Sequence, residues 1–442
     1  MGELERLLNE RTDLPLNIAI ISPYLWTRDR GGVNRHIETL YKELIRRGHT
    51  VKIFGRFPRN FSSAVLDLED MVDTGGWSIP MRNGGSVTKV VLYSRRWGGI
   101  IKYLANNFDV VNAQAPEALG LPSRAIRELD RSKVAIITTV HASGKIGLKA
   151  RGYSIYFDIK KYKGQIAGNV HQIIPVSRPA AELFERLLPV TGLTESIVPN
   201  PVDTELFSPE GKRLVFPNEK TTILFVGRHG KNEKRKGFRY LAHAFKQVVS
   251  DKSYLDTVHL LIGGVGRVDK KSLRGIPADC YTILGAIAPD ELPQYYRSVS
   301  MVVAPSQSNE SFGYVPAEAM SSGTPVIMSN IDGYVNVATG NASLTCQEAN
   351  KNGYFTPFEN TGLLQCNGAI LFEARNAVQL ATGIKWVADH PEFRHQLSAT
   401  RRKTIVDNFS VNAVVDRLEK IYYNALMQLP DESNIGKRLL QD

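Results

Sequence analysis

Two doubly wound α/β domains are the architecture this sequence predicts. Short, nearly continuous apolar runs alternate with helical periodicities, and the alternation is interrupted once, by a proline-rich stretch near residue 200, before it starts again. Apolar runs without polar alternation are expected of parallel strands covered by helices on both faces.

The first domain opens with a strand at Leu16 to Ser22, closed by Pro23. Val33, Ile37, Leu40, Tyr41 and Leu44 then recur at helical spacing until Gly48 stops the helix, and Val51 to Phe54 resumes as a strand. Asp109 to Ala113, Val134 to Val140 and Gln172 to Val176 supply further strands. Pro199, Pro201, Pro209, Gly211 and Pro217 mark the linker. Beyond it, strands are expected at Ile223 to Val226, His259 to Ile262, Thr282 to Leu284, Met301 to Ala304, Pro325 to Met328 and Ala369 to Phe372. Residues 339–367, rich in Asn and Gly, read as a loop insertion. Val414, Val415, Leu418, Ile421 and Tyr422 give one apolar face to a helix over Val411 to Leu426. The expected division is 1–200, 201–410, and a terminal helix and tail over 411–442 that packs back on the first domain.

The composition agrees with this. The chain has 442 residues, 43% hydrophobic and 22% charged, enough for two or three domains with cores of their own. Its apolar runs fall far short of the roughly 20 residues of a membrane-spanning helix, and residues 1–13 lack a signal-peptide centre. Cys280, Cys346 and Cys366 have no paired spacing, so neither a disulfide framework nor a structural zinc site is expected, and a cytoplasmic location fits. The net charge of +11 is uneven: residues 1–200 hold 28 basic and 19 acidic residues (+9), and residues 201–442 hold 27 and 25 (+2). A basic first half suits a solvated face or an anionic partner. Nucleic acid is not expected, because no helix-turn-helix, zinc finger or aromatic RNA-binding pattern is present.

Residues 308–325 carry the chemistry. Glu310 and Glu318 are separated by seven residues, with Phe312 and Gly313 between them where a helix should start, directly after the strand ending at Ala304. A carboxylate at a strand's carboxyl edge can accept hydrogen bonds from sugar hydroxyls, and free helix N–H groups suit a phosphate. Together with Ala319, Met320, Gly323, Thr324, Pro325 and Val326, this string resembles the sugar-nucleotide-binding element of glycosyltransferase family 4, retaining enzymes of the GT-B fold in which two Rossmann-like domains face across a cleft. The resemblance spans about residues 15 to 425. It extends to Gly31, Gly32 and Val33 before the first helix, to Gly227 and Arg228 after the second domain's first strand, to Lys236 before Gly237, and to His141 at a strand end.

The resemblance implies a hexose-type transfer from a GDP- or UDP-linked sugar with retention of configuration. Arg228 and Lys236 would neutralise the diphosphate, helped by N–H groups near Gly31, Gly32 and Gly313. Glu310 would orient the sugar hydroxyls, His141 would contact the sugar, and Glu318 would hold the ribose, with Phe312 in the same element. No metal-ligand cluster is evident and no cofactor beyond the donor is required. Gly263, Gly264 and Gly266 resemble a dinucleotide-binding turn but lack its full spacing. The acceptor is either a lipid, as in the phosphatidylinositol mannosyltransferases of that family, or a soluble small molecule. For a lipid, Arg95, Arg96, Trp97 and Lys102 would form a basic interfacial patch making peripheral contact with an anionic membrane at its inner face. A sugar-nucleotide epimerase on the same fold and a non-catalytic sugar-nucleotide binder are the alternatives.

Overall fold

The computed structural model describes residues 3–440 except 11–13, 28–30, 60, 64, 84–85, 119, 144–163, 165–166, 189–190, 217–219 and 359–360. The chain divides into two compact units, Met1–Pro201 with Val411–Asp442, and Val202–Ser410.

In the first unit, α1 (Glu3–Glu10) precedes β1 (Asn17–Leu25), α2 (Gly32–Arg46), β2 (Thr50–Arg56), β3 (Met71–Asp73), β4 (Trp77–Asn83), β5 (Ser86–Tyr93), α3 (Trp97–Asn107), β6 (Val110–Gln114), α4 (Leu121–Glu128), β7 (Ala135–Val140), β8 (Gln172–Pro175) and α5 (Arg178–Leu187). Six strands pair in parallel in the order β3-β2-β1-β6-β7-β8. Successive residues of each strand feed opposite faces, as the strand period requires. Ile18, Ile20, Val51, Ile53, Val110 and Ile137 pack under α2, while Ala19, Ile21, Phe54, Val111 and Ile136 pack under α3, α4 and α5. The hairpin β4–β5 is an antiparallel addition, joined to β1 at Tyr24 and Val90.

The second unit runs β9 (Thr221–Val226), α6 (Phe238–Ser250), β10 (Val258–Gly263), β11 (Tyr281–Gly285), β12 (Met301–Ala304), α7 (Tyr314–Ser321), β13 (Val326–Ser329), α8 (Asp332–Thr339), β14 (Thr356–Phe358), β15 (Leu363–Cys366), β16 (Ala369–Phe372), α9 (Ala377–Asp389) and α10 (Ser398–Phe409). Its sheet order is β11-β10-β9-β12-β13-β16-β15-β14. The first six strands are parallel, and β14 and β15 continue the sheet antiparallel. This corrects the reading of 339–367 as a loop insertion, because the segment holds a helix at Cys346–Lys351 and both antiparallel strands. The strands are three and four residues long, too short for periodicity to register.

The chain's last long helix, α11 (Val411–Leu426), belongs to the first unit. Val414, Val415, Leu418 and Tyr422 join the α2 side of that unit's core. Glu419 receives His49 Nε2 at 2.8 Å and Arg47 Nη1 at 2.6 Å, and the Tyr423 hydroxyl donates to Leu14 O at 2.8 Å. A final helix, α12 (Asn434–Leu440), follows, and Arg438 pairs with the buried Asp109 at 2.6 Å. Among the described residues no helix is long and apolar enough to cross a membrane.

Candidate functional site

The parallel strands of each sheet reverse order once, and ligands of doubly wound sheets bind beside that reversal, outside the strands' carboxyl ends. In the second unit the reversal lies between β9 and β12. Arg228 and Lys236 follow β9, and Glu310, Phe312 and Gly313 follow β12, so the structure brings these candidates to one edge of one sheet.

Two close backbone approaches build this edge. Gly237, between Lys236 and α6, has φ +76°, and a Cβ there would stand 1.7 Å from Pro305 O. Only glycine lets the loop after β9 lie on the loop after β12. Gly313 has φ +114° and presses on the Tyr334 ring, 2.7 Å from where a Cβ would be. It opens α7 with no side-chain cap, and Pro316 has no N–H to offer, so the first-turn N–H groups of Tyr314 and Val315 face outward from a positive helix end.

Glu310 is the hub. Its Oε1 accepts from Lys236 Nζ at 2.7 Å, from Arg235 Nη1 at 2.7 Å and from Ser306 Oγ at 3.0 Å. Ser306 in turn accepts from the Tyr334 hydroxyl at 2.8 Å. Among the described residues these bonds all fall on Oε1 and none is made to Oε2, so the carboxylate is anchored through one oxygen. Burial alone would raise the Glu310 pKa, but Lys236 and Arg235 outweigh it and hold the carboxyl below its ordinary value. For Lys236 the balance is reversed: burial, joined by the neighbouring cations Arg235 and Arg228, lowers its pKa despite Glu310. One carboxylate is thus shared by two cations, which favours its charged form.

Arg228 stands apart, its side chain 42% exposed and its Nε 3.5 Å from Glu233 Oε1. Gly263 to Gly266 lie against its loop, through Gly227 N to Gly263 O at 3.1 Å and His229 N to Val265 O at 2.7 Å. Two candidates are interior. The Phe312 side chain is 2% exposed and packs edge-on against Tyr314 and Phe409. Glu318 is 1% exposed and accepts from the Tyr296 hydroxyl at 3.1 Å. Arg235 and Ser306 were missed by the sequence reading; Arg235 reads there as one more cation in a basic run.

In the first unit the reversal lies between β1 and β6. Gly31 is the N-cap of α2, again without a side-chain cap, and Gly32 is its first residue. A Cβ on Gly31 would meet no atom within 4 Å, and its φ is −74°, so neither crowding nor backbone conformation calls for glycine there. His141, just past β7, has Nε2 2.7 Å from Gln114 Oε1 and meets His36 edge-to-face, with ring centroids 4.7 Å apart. Burial, and secondarily His36, holds the His141 pKa well below its ordinary value. Burial lowers His36 to about 4, partly opposed by Asn200, although neither His36 ring nitrogen nor Asn200 Oδ1 makes a hydrogen bond of good geometry. Glu117, unforeseen from sequence, accepts from Ala142 N at 3.1 Å and is raised by burial to about 7.

Among the described residues no three His, Cys, Asp or Glu side chains gather as metal ligands would. Of the proposed interfacial patch, Arg95, Arg96 and Lys102 are exposed, but Trp97 is 3% exposed and part of the core. The exposed aromatics nearby are Trp77 and Tyr93, paired across the β4–β5 hairpin, and Tyr103.

Comparison with known proteins bears on the family and the fold. Residues 30–206 match the model described as Glycosyltransferase Family 4, and residues 220–360 match that of Glycosyl transferases group 1. A phosphatidyl-myo-inositol mannosyltransferase of Mycobacterium tuberculosis is 29% identical over 325 residues, 73% of this chain and 80% of the relative. A D-inositol 3-phosphate glycosyltransferase of Nocardiopsis dassonvillei is 24% identical over 379 residues, 78% of this chain and 86% of the relative. Among solved structures, a glycosyltransferase from Rickettsia africae superposes with TM-score 0.63 at 18% identity, covering 93% of this chain and 99% of its own. The Anabaena protein HepE in complex with UDP-glucose gives 0.60 at 14% identity, covering 94% of this chain and all of its own. With both halves matched in order and the two sheets of a GT-B fold, the chain belongs to glycosyltransferase family 4.

Proposed function

We propose that this glycosyltransferase moves a hexose-type sugar from a nucleoside diphosphate sugar, GDP- or UDP-linked, to an inositol phosphate acceptor with retention of configuration. The observation that carries the reading is the Glu310 carboxylate, held through one oxygen by Lys236, Arg235 and Ser306, beside the uncapped start of α7. Departure of the diphosphate adds negative charge to phosphate and positive charge to the sugar ring. Arg228, Lys236 and the N–H groups at Gly313 stabilise the first more strongly as it develops, and the Glu310 carboxylate orients the second. The N–H groups at Gly31 and Gly32 supply a further anion-binding helix end. Glu318 holds the ribose and His141 contacts the sugar. The chemistry needs no cofactor beyond the donor.

Both relatives named above carry an inositol phosphate in their names, one on a lipid and one free. That shared group motivates the acceptor class. For the lipid form, Arg95, Arg96 and Lys102 with Trp77 and Tyr93 form a basic, aromatic surface for peripheral contact with an anionic membrane at the cytoplasmic face.

A donor screen read by mass spectrometry tests the reading, with phosphatidylinositol vesicles and free inositol phosphate offered in parallel and the anomeric configuration of the product read by NMR. Transfer with retention supports it. Epimerised donor without acceptor, or donor binding without turnover on any acceptor, replaces it with an isomerase or a binding protein.

A further inference from the structure

The first unit carries a chain of buried polar side chains from the carboxyl edge of its sheet to α11. His141 Nε2 lies 2.7 Å from Gln114 Oε1. Gln114 Nε2 donates to Asn112 Oδ1 at 2.9 Å and to Thr139 Oγ1 at 3.3 Å, and Thr139 Oγ1 donates to Asn112 Oδ1 at 2.9 Å. Asn112 Nδ2 donates to the Tyr422 hydroxyl oxygen at 2.8 Å, joining residues 310 positions apart. Asn112, Gln114 and Tyr422 are fully buried. Asn112 and Gln114 sit two apart on the central strand β6, hence on one face, where Ile20 and Ile137 flank Asn112 with apolar side chains.

An amide has a donor end and an acceptor end, so each link fixes the next. With the Tyr422 oxygen accepting, the Asn112 oxygen faces the Gln114 NH₂ group, and the Gln114 oxygen faces His141. A carbonyl oxygen can only accept, so the nitrogen opposite it carries the proton. The reverse polarity requires both amides to turn and Tyr422 to donate into the chain. A neutral imidazole has one N–H, and which nitrogen bears it decides what the ring offers a ligand.

We propose that Gln114 is a positioning residue that, with Asn112 and Tyr422, fixes His141 as the Nε2–H tautomer, so that Nδ1 presents a lone pair. This rests on the reading of His141 as a contact of the donor sugar, toward which Nδ1 is then an acceptor for a sugar hydroxyl. Burial keeps His141 and its neighbour His36 neutral, which makes the tautomer the remaining variable of the ring.

Nitrogen-15 histidine labelling of the full chain, with His141 identified by the signals lost in His141→Asn, reads the tautomer directly. Wild type is expected to show a protonated Nε2 and a lone-pair Nδ1. Gln114→Leu should give a mixture, and Tyr422→Phe, which keeps the ring in place, should loosen the preference too. Gln114→Glu, still an acceptor, should keep Nε2–H and move the His141 titration to higher pH. Circular dichroism and the other histidine signals report whether each variant is folded. A wild-type Nδ1–H form, a wild-type mixture, or an unchanged His141 spectrum in folded Gln114→Leu overturns the proposal. Turnover separates it from the reading beneath it: Gln114→Leu should lose about tenfold, one hydrogen bond's worth. A mixed tautomer with full turnover would leave the relay standing and remove His141 from donor contact.

Discussion

Lys236 Nζ sits 2.7 Å from Glu310 Oε1, so the candidate phosphate-binding cation and the candidate sugar-orienting carboxylate are one ion pair. Removing the charge of either changes the other. Glu310→Gln keeps the shape of the side chain but removes the anionic acceptor, so Lys236 and Arg235 lose their ion-pair partner and keep at most a hydrogen bond to a neutral amide oxygen. A hydrogen bond to a charged group is worth roughly 1.5 to 3 kcal/mol, so turnover should fall at least about tenfold to a hundredfold. Arg228→Ala should fall comparably, with the protein still folded, because that side chain is partly exposed. Initial rates with the best donor check both, and near-normal rates in the two variants would take the site away from this edge of the sheet.

The same pair gives a pH dependence of stability. In the folded protein the Glu310 pKa lies below the ordinary 4.5. A carboxyl depressed by folding contributes stability that is present above the unfolded value and lost as pH falls through the folded one. Unfolding by urea between pH 6 and pH 3 should therefore show wild type losing more stability than Glu310→Gln, with the two curves converging on the acid side. Parallel curves would mean that Glu310 is not held by its cations in solution.

Gly237→Ala tests how the edge is assembled. The left-handed backbone alone costs roughly 1 to 2 kcal/mol for a residue with a Cβ, and the methyl group would also meet Pro305 O. The loop carrying Lys236 has to move off the loop carrying Glu310. A lower melting temperature and weaker donor binding should appear together in calorimetry. Unchanged donor affinity would show that the contact between the two loops is not required for the site.

The central strands of both parallel sheets were legible because they are buried on both faces and therefore run largely apolar, whereas the three-residue edge strand β3 was missed. The β4–β5 hairpin was not legible either. Trp77-Ser-Ile-Pro-Met-Arg-Asn mixes polar residues with a proline, and Trp77 and Pro80 are exposed, so burial imposes no apolar pattern there. The candidate residues stand in the sequence as residue types in order, from Gly31 and His141 to Glu310 and Glu318. Their wiring was not legible, because the bond from Arg235 to Glu310 spans 75 residues and depends on the loop contact that Gly237 permits. Trp97 was misjudged because it follows two arginines in the sequence yet turns inward on the first turn of α3.

Glu318 is a sharper test of the donor reading because its carboxylate already has a protein partner in Tyr296. Tyr296→Phe removes that partner and leaves the carboxylate, whereas Glu318→Gln alters the carboxylate itself. If Glu318 holds the ribose, Glu318→Gln should weaken donor affinity with little change in kcat, since the ribose is remote from the bond being broken. Tyr296→Phe should leave affinity within a few-fold and cost only stability, on the order of 1 kcal/mol. Titration calorimetry with the donor separates these, and equal loss of affinity in both variants would make Glu318 a packing residue.

The acceptor reading depends on the exposed basic surface of the first unit. Arg95, Arg96 and Lys102 are exposed beside Trp77 and Tyr93, the combination that suits a lipid headgroup layer, where aromatic rings sit at the interface and cations meet anionic lipids. The protein should sediment with anionic vesicles and not with neutral ones, and salt should release it, because exposed charges are screened within about 10 Å at 0.1 M. Replacing the three cations with Ser should weaken association by up to about 1 kcal/mol per charge, while donor affinity stays the same. Trp77→Ser should weaken it further on the same vesicles without altering the salt dependence, since it removes apolar area and no charge. If wild type ignores anionic vesicles at low salt, this surface has no lipid role, the free inositol phosphate becomes the acceptor to pursue, and the +9 of residues 1–200 is left to attract an anionic donor or acceptor from solution.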